Sequence, residues 1–114
     1  AAMLSSVAVL KSGAGIVRLL YPEGMEVQLS MCPPEVIKTP MNFKKTDLIG
    51  EHLKKASSFF IGPGLGKSPD VHKLLLNLLP KVTVPTVIDA DALNSLAEEW
   101  VNVPENTILT PHLG

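Results

Sequence analysis

The sequence has 114 residues, 46% hydrophobic and 18% charged, a balance that excludes a disordered tail and allows one domain with a real core. Ten Lys and Arg against eleven Asp and Glu leave a net charge of −1, which gives no electrostatic reason to expect nucleic acid or a membrane surface as a partner. The single cysteine, Cys32, excludes an internal disulfide framework and a cysteine-rich zinc site, and no apolar run approaches the ~20 residues that span a bilayer.

Residues 1–12 are apolar and small and predict a helix with Gly13 as its stop signal. The opening run lacks the basic segment and the cleavage site of a secretion signal. Gly15 to Tyr21 reads as a strand ended by Pro22-Glu23-Gly24, and Val27 to Met31 as a further extended piece. The prolines between Cys32 and Pro40 predict irregular chain. From Asp47 to Ala56 the spacing is helical, with Leu48, Ile49, Leu53 and Ala56 on one face. Ser57 to Ile61 is a short apolar strand that stops at Gly62. Ser68 as N-cap and Pro69 at the first helical position start a helix through Leu79. Val84 to Ile88 is the next strand, Asp91 opens a helix to about Glu99, and Thr107 to Leu109 is the last strand. His52 and His72 fall among lysines on helices and are expected to face solvent, and Cys32 is expected to be a buried or semi-buried thiol.

Strands that alternate with helices and run as continuous apolar stretches predict an α/β fold with a mostly parallel sheet. In such folds ligands bind at the carboxyl ends of the strands. Three unusual stretches fall there: Gly62-Pro63-Gly64-Leu65-Gly66, Asp89-Ala90-Asp91-Ala92-Leu93-Asn94 and Thr110-Pro111-His112-Leu113-Gly114.

The glycine stretch fits neither phosphate motif. A P-loop needs four residues between its first Gly and Gly-Lys-Ser, and here three separate Gly62 from Gly66; in the dinucleotide pattern the third Gly would come one residue later. What remains is a loop whose backbone a ligand can approach closely, followed by a helix N-terminus; a tight turn needing positive φ is the alternative. Lys67 reads as a solvated lysine. Asp89 and Asp91 would share a face if the strand ran on, a pair that a magnesium ion or a polar ligand could bridge. Against that, Asp91 is a good helix cap, with Asn94 completing it, so Asp89 is the better functional candidate. His112 leaves a strand end fixed by Pro111, where an imidazole can bind a substrate or move a proton.

Taken in order, Val9-Leu10-Lys11-Ser12-Gly13-Ala14-Gly15-Ile16-Val17, Pro34-Glu35-Val36, IGPGLG, VIDADALN and LTPHLG resemble the ADP- or ATP-dependent NAD(P)H-hydrate dehydratases of the ribokinase-like superfamily. The resemblance covers essentially the whole chain. It implies a ribokinase-like three-layer α/β/α sandwich, incomplete in this chain, with residues 1–114 forming part of one domain truncated at both ends. It implies repair of hydrated NADH and NADPH: ADP or ATP, with Mg2+, phosphorylates the ring hydroxyl, and elimination of phosphate restores the ring. By position it implies that Ala1, Gly64, Gly66 and His112 contact the hydrated dinucleotide and that Asp89 and Asn94 shape its pocket.

The family's Gly-rich segment, with its anion hole and catalytic Asp, is expected beyond Gly114. No catalytic residue and no metal ligand is therefore assigned here, and this chain by itself is expected to be inactive. A cytoplasmic homo-oligomer acting on a small molecule is expected. The alternatives are a ribokinase-like kinase of a vitamin precursor or sugar alcohol, and a non-catalytic nucleotide-binding module.

Overall fold

Small apolar residues without an internal Gly or Pro form α1 (Ala2–Lys11). Ser6, the helix's buried serine, is accommodated by a local bond, its Oγ donating to the Ala2 carbonyl at 2.9 Å. The helix stops where Gly13 takes φ +104. Gly13 N–H then donates to the Leu10 carbonyl at 3.1 Å and Ala14 N–H to Val9 at 3.4 Å, which satisfies two terminal carbonyls at once. The computed structural model describes residues 1–45 and 47–113, and they form two compact units, Ala1–Asn42 and Phe43–Gly114.

In the first unit, β1 (Val17–Pro22) pairs in parallel with β2 (Val36–Met41), in register from Val17 opposite Val36 to Pro22 opposite Met41. Val17, Cys32 and Val36 are buried together, with Met3, Leu10 and Leu19 packed against them. Two expectations fail in this unit. Val27 to Met31 is not extended but a succession of turns: Leu29 N–H donates to Met25 at 3.2 Å, and both the N–H and the hydroxyl of Ser30 reach the Val27 carbonyl. Only Leu29 is buried there, while Val27 and Met31 are 82% and 81% exposed, so no sheet face holds the segment straight. Conversely, the stretch expected to be irregular contains β2. Pro40 lies opposite Tyr21, and β1 is the only strand paired with β2 among the described residues, so an edge position tolerates the missing N–H.

In the second unit, α2 (Asp47–Lys54) buries Ile49 but leaves Leu48 61% exposed, contrary to its expected place on the inner face. β3 (Phe59–Ile61) leads through the glycine loop to α3 (Pro69–Leu78). Ser68 caps that helix by accepting the Val71 N–H at 3.3 Å, and a 3₁₀ turn over Leu79–Lys81 follows. β4 (Thr86–Asp89) passes directly into α4 (Ala90–Glu98), and β5 (Thr107–Thr110) follows. The sheet order is β3-β4-β5, all parallel. Leu74, Leu75, Leu78, Ile88, Ala92 and Leu96 are buried core residues of this unit. The one polar side chain of β4 that is fully enclosed, Thr86, donates its hydroxyl to the Val84 carbonyl at 2.9 Å.

Among the described residues no helix is long and apolar enough to cross a membrane. His52 and His72 are half-buried, not solvent-facing as expected. The Nδ1 atom of His72 is enclosed without a partner among the described residues. A histidine on the lysine-bearing side of α3 still sinks its ring where its neighbours Val71, Leu74 and Leu75 are all core residues.

Candidate functional site

Parallel pairing brings the carboxyl ends of neighbouring strands together. Ile61, the last residue of β3, is opposite Ile88, and Asp89, the last of β4, is opposite Thr110, the last of β5. The glycine loop, the Asp89–Asp91 turn and Pro111–His112 therefore leave the sheet at one end, where ligands gather in open α/β sheets.

The glycine loop is a turn with a defined shape. Leu65 N–H donates to the Gly62 carbonyl at 3.1 Å, closing a four-residue turn with Pro63 and Gly64 at its centre. Gly64 takes φ +74, the value of the third residue of a type II turn. At Gly62 the requirement is stricter. Its φ is +136, and a Cβ placed there would lie 1.7 Å from the Asp89 carbonyl oxygen. Only a glycine lets the start of the loop press against the end of β4.

The end of β4 carries its own strain. Ala90 is the only non-glycine residue with positive φ among the described residues, at +49, a conformation that costs an L-residue of this kind about 1–2 kcal/mol. The strand does not run on to Asp91, and Asp91 is not the helix cap. The N-cap position is Asp89, whose side chain makes no capping bond. The helix starts two residues earlier than the capping pattern indicates, and with the left-handed step at Ala90 the two carboxylates part company. Asp91 Oδ2 accepts the Gly66 N–H at 2.8 Å. Asp89 Oδ1 is enclosed without a hydrogen-bond partner among the described residues and lies 3.9 Å from His112 Nε2. That separation is too long for a hydrogen bond, and the pair attracts only when the imidazole is protonated. The His112 side chain is 78% exposed and that of Asp89 only 21%.

Gly64 and Gly66 are exposed on the same loop. A Cβ at Gly66 would meet nothing within 4 Å among the described residues. Asn94 is exposed on α4, without a partner among the described residues. It does not complete a cap, because the helix begins before Asp91. Ala1 precedes α1 in the first unit, and its carbonyl accepts the Ser5 N–H at 3.0 Å. Gly114, the end of the third motif, lies outside the described residues. Among the described residues no group of three or more His, Cys, Asp or Glu side chains is placed to hold a metal ion.

A model of the NAD(P)H-hydrate dehydratase family matches residues 1–114. The chain belongs to this family. It is 37% identical to a bifunctional NAD(P)H-hydrate repair enzyme of Moorella thermoacetica over 97% of this chain and 23% of that protein. It is 32% identical to the enzyme of the same name from Dictyoglomus turgidum over 100% of this chain and 24% of that protein. Over 54% of this chain it is 52% identical to a Coxiella burnetii protein of that name, covering 12% of it. A ribokinase-like superfamily protein of Enterococcus faecalis superposes with a TM-score of 0.84 at 25% identity, over 96% of this chain and 39% of that one. A Streptococcus mutans protein does so with the same score at 26% identity, over 96% and 40%. The fold is thus the ribokinase-like α/β fold with parallel sheets. The chain spans about a quarter of the curated family members it matches.

Sequence reasoning missed two features of this family's glycine loop here. The Gly62–Asp89 contact was hidden because any of the three glycines could have been the tight one. The Asp91–Gly66 bond was hidden because an Asp after a strand reads first as a cap; the signal against capping is that Asp89 already occupies the strand's last position.

Proposed function

We propose that the protein carrying this chain dehydrates hydrated NADH and NADPH, using ADP or ATP with Mg2+ to turn the ring hydroxyl into a phosphate leaving group. The observation that carries the reading is the family match over the full chain, from residue 1 to residue 114. In support, three of the motifs that bear the resemblance leave one end of one parallel sheet.

In this reading the chain supplies the dinucleotide side of the site. The Gly64 and Gly66 stretch lets the ligand lie against backbone. His112, exposed on a rigid strand end, donates or accepts a hydrogen bond to the nicotinamide half. Asp89, enclosed behind it with Oδ1 3.9 Å from Nε2, shapes the floor of the pocket. Asn94 completes the pocket by family position. ADP or ATP, held by residues outside this chain, supplies the phosphoryl group. Residues 1–114 act as part of one ribokinase-like domain, in a cytoplasmic homo-oligomer.

The test is an assay of the full-length protein on hydrated NADH with ADP and with ATP, following the return of dihydronicotinamide absorbance. Restoration with one nucleotide identifies the donor. No restoration with either overturns the reading. Sedimentation of the same preparation decides the oligomer.

A further inference from the structure

The glycine loop has no side chains of its own to hold it. Gly62, Gly64 and Gly66 all sit at positive φ, and a stretch so rich in glycine loses more backbone freedom on ordering than any other. Three ties are visible. Gly62 is pressed against the Asp89 carbonyl, Ser68 and Pro69 anchor the far end in the cap of α3, and Asp91 takes the Gly66 N–H at 2.8 Å. Only the last is made by a charged side chain from another part of the chain, and bonds to an ionised acceptor are about twice as strong as neutral ones. Asp91 stands in the first turn of α4, where a carboxylate would be stabilised by its own helix alone. Its oxygen instead faces a loop 25 residues earlier in sequence, and the left-handed step at Ala90 is what aims it there. Backbone strain of this kind persists where the surroundings over-determine it.

We propose that Asp91 is a positioning residue of this site: its carboxylate occupies the Gly66 N–H, locks the Gly62–Gly66 loop in its turn and leaves the Gly64 N–H at the loop apex for the ligand. The Leu65 N–H is already given to Gly62, and Gly64 N–H has no acceptor among the described residues. Asp91 touches no reacting atom in this scheme; it acts through the loop. The ligand's identity rests on the dinucleotide reading above, whereas the lock itself does not.

Two measurements on the full-length protein test it. In the first, Asp91→Ala and Asp91→Asn are compared in the assay. The alanine variant is expected to raise KM for hydrated NADH about tenfold, with kcat and the nucleotide KM within about twofold and the melting temperature little changed. The asparagine variant, whose amide oxygen still accepts a hydrogen bond, recovers most of that loss. A KM that does not move, or dinucleotide and nucleotide KM values that rise together, overturns the proposal. The second measurement needs no activity and no alanine variant. In the wild-type protein the Gly66 amide exchanges more slowly than the Gly64 amide, and its NMR shift follows the titration of a carboxyl group; in Asp91→Asn that titration is gone. A Gly66 amide as fast to exchange as Gly64, or unresponsive to pH, overturns the lock. An inactive wild type overturns the function proposed above and leaves the amide result to decide on Asp91.

Discussion

The carboxyl ends of β4 and β5 are neighbours in register, Asp89 opposite Thr110, yet they are built in opposite ways. β4 lies between two strands, with Thr86 and Ile88 at 2% and 0% exposure, and its end is met by Gly62 and continued by a strained Ala90. β5 pairs with β4 alone among the described residues, and Ile108 and Leu109 are 63% and 41% exposed there. Its His112 is exposed and faces Asp89 across 3.9 Å without a hydrogen bond. The difference divides the labour. In the function proposed above, the β4 end is set before the ligand arrives, at a cost in backbone strain, and the β5 end offers a polar group that the ligand engages and orders. In that reading preorganisation belongs to glycine geometry and the Asp91 carboxylate, not to the histidine.

The sharpest way to break the comparison is Gly62→Ala. A methyl group 1.7 Å from the Asp89 carbonyl cannot be absorbed by a flexible side chain, so backbone must move. A loss of about 3 kcal/mol or more is expected, read by urea denaturation of the full-length protein. A loss below about 1 kcal/mol would mean that the two loops are not pressed together.

Gly66→Val probes the open side of the same loop. Among the described residues no neighbouring atom lies within 4 Å of a Cβ there, although φ is +86. The strained backbone costs about 1–3 kcal/mol, while the new side chain would fill the space that the proposed function gives to the ligand. Affinity for hydrated NADH should fall about a hundredfold, the upper end of an overpacking penalty. Titration and melting on one preparation separate the two effects. If melting collapses while the folded fraction binds normally, the loop is a turn and nothing more.

His112→Ala should act on the reaction alone. Loss of one or two hydrogen bonds lowers kcat/KM by an amount equivalent to about 1–3 kcal/mol. The melting temperature stays put, because the ring is exposed. An unchanged kcat/KM removes His112 from the site.

The smallest effect is also the most discriminating. Ala90→Gly relieves φ +49 and should be neutral or stabilising by up to about 1 kcal/mol. Ala92→Gly, two residues on in the same helix and fully buried, should cost about 1 kcal/mol. Equal losses at both positions would show that the left-handed step carries no strain.

The strands and helices of the second unit were legible because each is marked twice, by an apolar run and by punctuation. Ser68-Pro69 starts α3 as its chemistry dictates, and the run before Gly62 ends β3. The region from Val27 to Met41 was misread in both halves for one reason. Strand or turn there is decided by whether a neighbouring strand lies alongside, which local sequence does not state. Pro40 is admitted to β2 by an edge, and Val27 is refused a strand by the lack of one. In the site, the sheet end at which Gly64, Gly66, Asp89 and His112 gather followed from alternation alone. Asp91 did not, because its role depends on a backbone angle at Ala90 that no residue preference for alanine announces.

Cys32 is buried at 4% exposure between Val17 and Val36, and it is the only thiol in the sequence. A reagent that modifies thiolates can reach it only when the unit formed by residues 1–42 opens. Labelling kinetics at this one atom therefore clock the opening of that unit separately from anything that happens at the glycine loop, with no engineered probe.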